Sequence, residues 1–155
     1  MARDMSFSDF SKFLQERAST INDNIEYAIG LCCKKVQDDI KYSMDHTERN
    51  TDKTYYTNNK IKGHHPSAPG NPPAVDTGRL KASINYEVYK NEKEVYGVVG
   101  TTQKDPDYGA YLEYGTSDGK IAARPWLKPA MRKNNDFIRM NVAKAVKNTL
   151  TGGNK

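Results

Sequence analysis

Apolar residues recur at steps of three or four through the first third of the chain. This spacing predicts one long amphipathic helix over residues 6–44. Ser6, followed three positions later by Asp9, resembles a capping box and marks the expected start of this helix. Gly30 is the only glycine inside the pattern. Because a glycine costs a helix about 1 kcal/mol relative to alanine, we expect a kink or a break there.

Periodicity disappears over residues 45–76, which are rich in Asn, Asp, Thr, Lys and Pro. A run of about 30 residues without secondary structure is uncommon inside a compact domain. The sequence therefore predicts an extended or disordered loop with a function of its own, such as ordering when a neighbouring protein docks.

Two β-rich runs follow this loop. Ile84–Tyr89 and Glu94–Gly100 contain aromatic and β-branched residues, and the polar turn Lys90–Lys93 separates them. Such a pair of runs predicts an antiparallel hairpin. The preceding segment, Asp76–Ile84, is expected to form a capped helical turn. Gly97 and Gly100 are expected at a bulge or at a point where another backbone comes close.

The stretch Tyr108–Met131 combines tyrosines, glycines and two prolines with the only tryptophan, Trp126. An indole buries about 200 Å² of mostly apolar surface, so Trp126 is expected to anchor a core or an interface. Residues Tyr108–Gly115 fit a strand and a helix equally well, and periodicity does not decide between the two. Pro129 suits the first turn of a helix, and the apolar stripe after it predicts a C-terminal helix.

Together these elements predict one α+β domain over residues 1–155, a length that supports a single core. The expected architecture is a long N-terminal helix, a small antiparallel β-sheet with a hairpin, and a C-terminal helix packed on the sheet. Within it, residues 6–44 form the helical region, 45–76 the loop and 77–150 the α+β core.

Composition narrows the environment in which this domain works. The mean hydropathy is −0.86 and 28% of the residues are charged. No apolar run approaches the roughly 20 residues that a membrane span requires. The only two cysteines, Cys32 and Cys33, are adjacent, a placement that rarely forms a disulfide. Free thiols fit a reducing compartment, so we expect the protein in a cytosol or in a particle assembled there.

Positive charge is concentrated toward the C-terminus. The formal net charge is +5, and residues 120–147 contain eight basic residues and one acidic residue, Asp136. A basic segment can face nucleic acid or an acidic protein surface, and it can also be an ordinary solvated helix face. The residues that would face DNA or an acidic partner are Lys120, Lys128, Arg132, Lys133 and Arg139.

No catalytic motif accompanies these features. The chain lacks a nucleophile elbow, a phosphate-binding loop and a zinc-protease helix motif. Its histidines lack the spacing of metal ligands, so no catalytic residue, metal or cofactor is expected. A metal-dependent hydrolase built on clustered carboxylates is the enzymatic alternative. It is disfavoured because its candidates stand mostly among turn-forming residues; they are Asp105, Asp107, Glu113 and Asp118.

Glu113 differs from the other carboxylates because its neighbours, Tyr111 and Tyr114 among them, are aromatic or apolar. A carboxylate in such surroundings needs a partner. The sequence offers Arg124 and Arg79, either in the same subunit or in a neighbouring one.

Three blocks of sequence stand out in the second half of the chain. Residues 76–84 read Asp-Thr-Gly-Arg-Leu-Lys-Ala-Ser-Ile, Tyr108–Thr116 ends in Glu-Tyr-Gly-Thr, and Arg124–Ala130 reads Arg-Pro-Trp-Leu-Lys-Pro-Ala. In composition, order and spacing they resemble the motifs of the tail-completion family of long-tailed bacteriophages, also called head–tail joining, neck or minor tail component proteins. The resemblance covers residues 70–150. Trp126 departs from it mildly, because phenylalanine is commoner there.

The resemblance implies a non-enzymatic virion protein that forms a homo-oligomeric ring, with a hexamer as the expected form, at the head–tail interface. This ring would complete the tail for joining to the DNA-filled head. Its neighbours would be connector or stopper proteins and tail terminator or tail-tube proteins, with DNA passing through the lumen and no membrane involved. The protein would lie in the virion neck, and in the host cytoplasm during assembly. The residues expected at subunit or partner interfaces are Tyr111, Glu113, Tyr114, Arg124, Trp126 and Arg79.

Two alternatives remain at this point. One is a nucleic-acid-binding module that uses the basic C-terminal segment, for which DNA binding would depend strongly on salt. The other is a tail terminator or adaptor role within the same assembly.

Overall fold

The computed structural model describes residues 6–51, 55–56, 63–91, 94–102 and 106–151. Asp105 lies outside these ranges. The elements, in chain order, are α1 (Phe7–His46), β1 (Tyr55–Tyr56), β2 (Gly63–His64), α2 (Arg79–Ser83), β3 (Ile84–Lys90), β4 (Val95–Thr101), α3 (Pro106–Tyr114), α4 (Leu127–Lys133) and α5 (Asn135–Thr151).

The predicted fold class is confirmed. The chain is α+β, with a long N-terminal helix, a two-stranded antiparallel sheet formed by β3 and β4, and a C-terminal helix packed on this scaffold. The described residues form two compact units, one drawn from 6–33, 87–91, 94–98 and 136–151 and the other from the described parts of 34–86 and 99–135. A single domain over the whole chain stays a prediction, since two compact units can belong to one domain.

Helix α1 is continuous over 40 residues and does not break at Gly30. Its start is capped as predicted, because the Ser6 hydroxyl accepts a hydrogen bond from the Asp9 amide at 3.1 Å and donates one to the Asp9 carboxylate at 2.6 Å. A side chain at Gly30 would approach the Val88 methyl Cγ2 at 3.9 Å, which is ordinary van der Waals contact. Within the described residues, no helix combines the length and the apolar character needed to cross a membrane.

In the first unit, α5 packs against α1 through Thr149. The Thr149 hydroxyl accepts a hydrogen bond from the Asn24 amide at 2.7 Å, and its carbonyl accepts one from Arg17 at 2.9 Å. Strand β4 lies close to α1 at Gly97, where an added Cβ would overlap Cys33 Sγ and lie 2.8 Å from Ile29 Cγ2. The close approach at Gly97 therefore comes from side chains of α1, and not from another backbone as the sequence predicted.

Both cysteines are free and buried. Burial raises the pKa of both thiols, and the neighbouring Cys32 raises that of Cys33 further. The two residues consequently act as protonated, apolar core side chains rather than as reactive thiolates.

In the second unit, the last turns of α1 supply the centre of the core. Val36, Ile40 and Met44 are almost completely buried. Gln37, on the same stretch of helix, donates a hydrogen bond from Nε2 to the carbonyl of Ile84 at 2.9 Å, which joins α1 to β3. The apolar stripe predicted from the sequence is thus the surface that this core is built on.

Asp39 is held on the side of α1 by a set of polar contacts from the second unit. Asn134 and Lys35 each donate to its carboxylate at 2.7 Å, and Lys133 lies 3.4 Å away. Burial alone would raise the pKa of Asp39, but the hydrogen bonds from Lys35 and Asn134 and the charge of Lys133 lower it overall. The carboxylate therefore stays ionised and keeps the end of α4 against α1.

The described parts of residues 45–76 are not structureless. Strands β1 and β2 pair antiparallel, with Tyr55 opposite His64. Arg49 forms an antiparallel bridge with Ser67, and Arg49 also donates to the carbonyl of Val75 at 2.7 Å. Pairings of one or two residues leave no periodic pattern in a sequence, which is why the prediction of an unpaired loop missed them.

Residues 106–114 form helix α3, which resolves the choice between strand and helix. Helical spacing places Leu112 and Glu113 in the interior, while Tyr111 and Tyr114 remain exposed. The predicted hairpin and C-terminal helix are confirmed, with bounds that differ from those expected by a few residues.

Candidate functional site

The carboxylate of Glu113 closes the N-terminus of α4. Its Oε2 accepts hydrogen bonds from the amides of Trp126 at 2.7 Å and Leu127 at 2.9 Å, and its Oε1 accepts one from the Lys128 amide at 3.0 Å. The first N–H groups of a helix have no partner within the helix. Pro129 follows in the same first turn and has no N–H to satisfy. One buried carboxylate and one proline thus account for the whole first turn of α4.

This arrangement corrects the expected pairing of Glu113. Among the residues that the structure describes, neither Arg124 nor Arg79 forms an ion pair with it. The guanidinium of Arg124 instead donates from Nε to the carbonyl of Ser67 at 2.9 Å and from Nη1 to the carbonyl of Ala122 at 3.0 Å. The buried carboxylate still has the partners that it needs, because hydrogen bonds from three backbone amides offset the cost of burying it.

Trp126 anchors the core of the second unit. Its indole is 4% exposed, and its Nε1 donates a hydrogen bond to the carbonyl of Gly109 at 3.1 Å. A Cβ at Gly109 would lie 2.9 Å from Thr101 Cγ2 and 3.6 Å from the indole Cζ2. Gly109 is therefore needed for space, since a larger residue would push α3 away from both neighbours.

A tight loop carries the chain from Glu113 back to Trp126. It leaves α3 at Gly115, whose φ of 78° lies in the left-handed region. Thr116 and Ile121 then bind each other twice, from the Thr116 amide to the Ile121 carbonyl and from the Ile121 amide to the Thr116 hydroxyl, both at 3.0 Å. The Arg124 amide finally donates to the carbonyl of Leu112 at 2.6 Å, which brings the start of α4 beside α3.

This loop provides a prediction with a matched control. Gly115 and Gly119 both have positive φ, 78° and 71°, but only Gly115 faces nearby backbone, since an added Cβ would lie 3.0 Å from the Ile121 carbonyl oxygen. We expect Gly119→Ala to lower the free energy of unfolding by about 1 kcal/mol, the cost of a left-handed alanine, and Gly115→Ala by about twice that. Urea unfolding of both variants measures the difference, and equal losses would contradict the close approach.

A cleft of about 990 Å³ opens beside this loop within the second unit. One wall is the segment 73–83, which contains the Asp-Thr-Gly-Arg-Leu block. The other wall comes from Tyr108 and Leu112 of α3 and from residues 120–122, with Arg124 also at the wall. All three blocks that stood out in the sequence therefore lie in one unit. Glu113 joins the second block to the third by hydrogen bonds, and the first block faces both of them across the cleft.

The six expected interface residues divide into two groups. Glu113, Arg124 and Trp126 are 7%, 8% and 4% exposed, so their side chains are already used inside the chain. Tyr111, Tyr114 and Arg79 are exposed and remain accessible to another molecule. An interface role for any of the six stays a prediction.

The five basic residues singled out in the sequence are all exposed, but their surroundings differ. Lys120 pairs with Asp118 at 2.8 Å, and Lys133 lies near Asp39. Lys128 and Arg132, four positions apart on α4, form no ion pair with any described residue. Arg139 lies on α5 in the first unit.

Two residues next to Arg124 were not predicted from the sequence: Ser67, which binds its guanidinium, and Tyr108, which lies near it. Ser67 lies in a region without periodicity, and no sequence signal connects it to position 124. Tyr108 lies near both Asp76 and Arg124. Burial is the main cause that raises the pKa of Tyr108, and the charge of Asp76 raises it further, while the charge of Arg124 partly opposes both. A glycine directly after an aromatic residue, as at Gly109 after Tyr108, was the one available signal of tight packing.

Within the described part of the chain, no group of three or more His, Cys, Asp or Glu side chains is placed to hold a metal ion. Asp105, one of the four candidate carboxylates, lies outside that part, and so does the side chain of Asp107. Of the remaining two, Glu113 is bound by backbone amides and Asp118 is exposed beside Lys120.

Comparison with known proteins gives no relative from which a function can be transferred: no protein-family model, no curated protein and no solved structure matches this chain.

Proposed function

We propose that this protein is a structural, non-enzymatic component of the neck of a long-tailed bacteriophage. In this proposal it forms a homo-oligomeric ring at the head–tail interface and completes the tail for joining to the DNA-filled head. The source of the proposal is the resemblance of three sequence blocks to the tail-completion family. Its place would be the virion, and the host cytoplasm during assembly.

One observation carries the structural role. The ionisable groups that the motif blocks bury are bound to backbone: Glu113 to three amides and Arg124 to two carbonyls. A catalytic acid, base or electrostatic group must keep hydrogen-bonding capacity for a substrate. Glu113 is fully engaged in closing a helix, so a rigid scaffold explains the second and third blocks better than an active site does.

Exposed apolar side chains at the start of α1 support self-association. Phe7, Phe10 and Leu14 are 88%, 47% and 50% exposed, and their spacing places them along one side of the helix. A contiguous apolar surface on a chain with a mean hydropathy of −0.86 marks an interaction site. In a ring every copy presents the same surfaces, so a second copy is the proposed cover for this stripe.

Neighbouring connector or stopper proteins and tail terminator or tail-tube proteins are the proposed partners on either side of the ring. Lys128 and Arg132 on α4 are the basic residues best suited to face an acidic partner or the DNA in the lumen, because no described carboxylate neutralises them. The same observation supports the alternative function, a nucleic-acid-binding module. A terminator or adaptor role in the same assembly is a variant of the first proposal.

Light scattering behind size exclusion tests the ring, with and without an extract of tail tubes. We expect a ring mass, or a monomer that becomes a ring only with the extract. The double variant Phe10→Asp/Leu14→Asp should remain monomeric in both conditions, because charged residues would break the apolar contact. Lys12→Asp is the control on the opposite side of α1 and should still assemble. A wild-type monomer that ignores the extract but is retained on DNA at low salt would favour the nucleic-acid-binding module.

A further inference from the structure

The cleft beside α3 has the volume of a ligand site. Its volume of about 990 Å³ lies at the upper end of the range for protein pockets, about 300–1,000 Å³. Its residues all belong to the second unit. The segment 73–83 that forms one wall carries a positive-φ glycine, Gly78, at 78°, and exposes Arg79.

Positive charge dominates the lining of the cleft. Four basic side chains, Arg79, Lys81, Lys120 and Arg124, line it together with one carboxylate, Asp76. Lys81 is bound to Asp45 at 2.6 Å and Lys120 to Asp118 at 2.8 Å, so these two are partly neutralised. Arg79 and Arg124 form no ion pair with a described residue. The positive charge of the lining therefore attracts an anion, and the groups left to bind it are Arg79 and the one Arg124 nitrogen without a described acceptor, Nη2.

Arg124 is positioned in advance for such an anion. Its Nε and Nη1 are fixed by the carbonyls of Ser67 and Ala122, and no described residue accepts a hydrogen bond from its remaining nitrogen, Nη2. The hydroxyl of Ser67, at the wall of the cleft, is buried and has no partner among the described residues. A buried hydroxyl without a hydrogen bond is unfavourable, so Ser67 marks the part of the wall beside Arg124 as polar.

Tyr108 of α3 lines the same cleft and adds a neutral donor. Burial first, and then the charge of Asp76, raise its pKa, while the charge of Arg124 opposes them. The hydroxyl therefore stays protonated and can donate a hydrogen bond at neutral pH. A carboxylate is an acceptor for both a guanidinium and a phenolic donor.

Apolar side chains form much of the rest of the lining and help to decide what kind of anion fits. Met44, Pro73, Val75, Leu80 and Leu112 line the cleft. A nucleic-acid duplex presents phosphate charge and keeps its bases stacked inside, away from these side chains. A peptide with an aspartate or glutamate beside an apolar residue offers both.

We propose that this cleft binds an acidic, extended peptide segment of a partner protein, with a carboxylate at Arg124 and an apolar side chain against the 73–80 wall. That the peptide comes from a neighbouring neck protein rests on the proposed function. The binding chemistry does not, because it follows from the cleft of a single chain.

Fluorescence anisotropy with the full chain tests the proposal. The probe is a short fluorescein-labelled peptide of alternating glutamate and leucine, and the matched probe replaces every glutamate with glutamine. We expect the glutamine peptide to bind about tenfold more weakly or worse, the value of one charged hydrogen bond. Tyr108→Phe should weaken the acidic peptide about fivefold, by removing one neutral hydrogen bond. Arg79→Ala should weaken it as well.

Two controls locate the binding. Tyr111→Phe makes the same chemical change on the exposed side of α3, and Lys144→Ala removes an exposed basic residue of α5 that lies outside the cleft lining; both should leave the affinity unchanged. Equal affinity for the two peptides, preference for single-stranded DNA or inorganic phosphate, or insensitivity to Tyr108→Phe and Arg79→Ala would overturn the proposal. Peptide binding by the monomeric variant Phe10→Asp/Leu14→Asp separates the two questions, because the cleft can bind whether or not a ring forms.

Discussion

Glu113→Ala should destabilise the protein more than any change at an exposed carboxylate. The substitution leaves the amides of Trp126, Leu127 and Lys128 without their acceptor, and the first of these is buried. A buried donor without a partner costs about 1–3 kcal/mol, while water can satisfy the outer two in part. We therefore expect the free energy of unfolding to fall by about 3 kcal/mol, measured by urea denaturation of the full chain.

Two further variants test whether the loss of stability comes from the hydrogen bonds of the Glu113 carboxylate. Glu113→Gln keeps the shape and one acceptor oxygen, so it should lose about half as much as Glu113→Ala. Glu48→Ala removes an exposed carboxylate from the described part of the same unit and should change stability by less than about 0.5 kcal/mol. If Glu113→Ala lost no more than Glu48→Ala, the carboxylate would not be closing α4.

Trp126→Ala is the second change with a large expected effect. The indole is buried among residues of the second unit and is hydrogen-bonded to the Gly109 carbonyl. Removing a buried aromatic side chain costs about 3–5 kcal/mol, because the lost burial and the cavity both count. Trp126→Phe, which keeps a ring but not the N–H donor, should cost about 1–2 kcal/mol, with the Gly109 carbonyl left unpaired. Thermal and urea unfolding measure both.

Tyr114→Ala is the control for this pair, because Tyr114 is 77% exposed in the single chain. Its stability as a monomer should stay close to that of the wild type. The combination of stability and assembly separates a core residue from an interface residue. If Trp126→Ala kept the stability of the monomer but abolished the ring, Trp126 would act at an interface, against its placement in the core.

These expectations change where an interface should be sought. Substitutions at Glu113 or Trp126 will disturb assembly through the fold, whatever surface the ring uses. Phe10 and Leu14 on α1, and Tyr114 on α3, are exposed in the single chain, so their substitution reports on contacts between molecules. Surface mapping of the ring should start from these three.

The regular elements were predictable from the sequence because each depends on local pattern. The apolar stripe of α1, the Ser6–Asp9 cap and the two β-rich runs around Lys90–Lys93 correspond to elements of the structure. Periodicity reports which side of an element is buried, and burial of that side is what stabilises it. Crowding at Gly97 was also predictable, since a glycine inside a strand indicates a close approach, but the structure shows that side chains of α1 cause it.

The structure of the stretch Tyr108–Met131 was predictable only in part. Its glycines, prolines and single tryptophan indicated a constrained structure, and the need of Glu113 for a partner followed from its apolar neighbours. That the partner would be three amides rather than an arginine depended on where the loop from Gly115 returns the chain. Hydrogen bonds between residues 13–15 positions apart leave no local pattern.

Sequence alone therefore determined the α+β class, the long first helix, the hairpin and the existence of a constrained aromatic stretch at Tyr108–Met131. Only the tertiary structure decided that residues 106–114 are helical, that the loop around Arg49 pairs with the strand-like segment at Ser67, and that Arg124 lines a cleft. The physical reason is the same in each case. Local pattern states which groups must be buried or satisfied, but the packing of distant segments selects the partner that satisfies them.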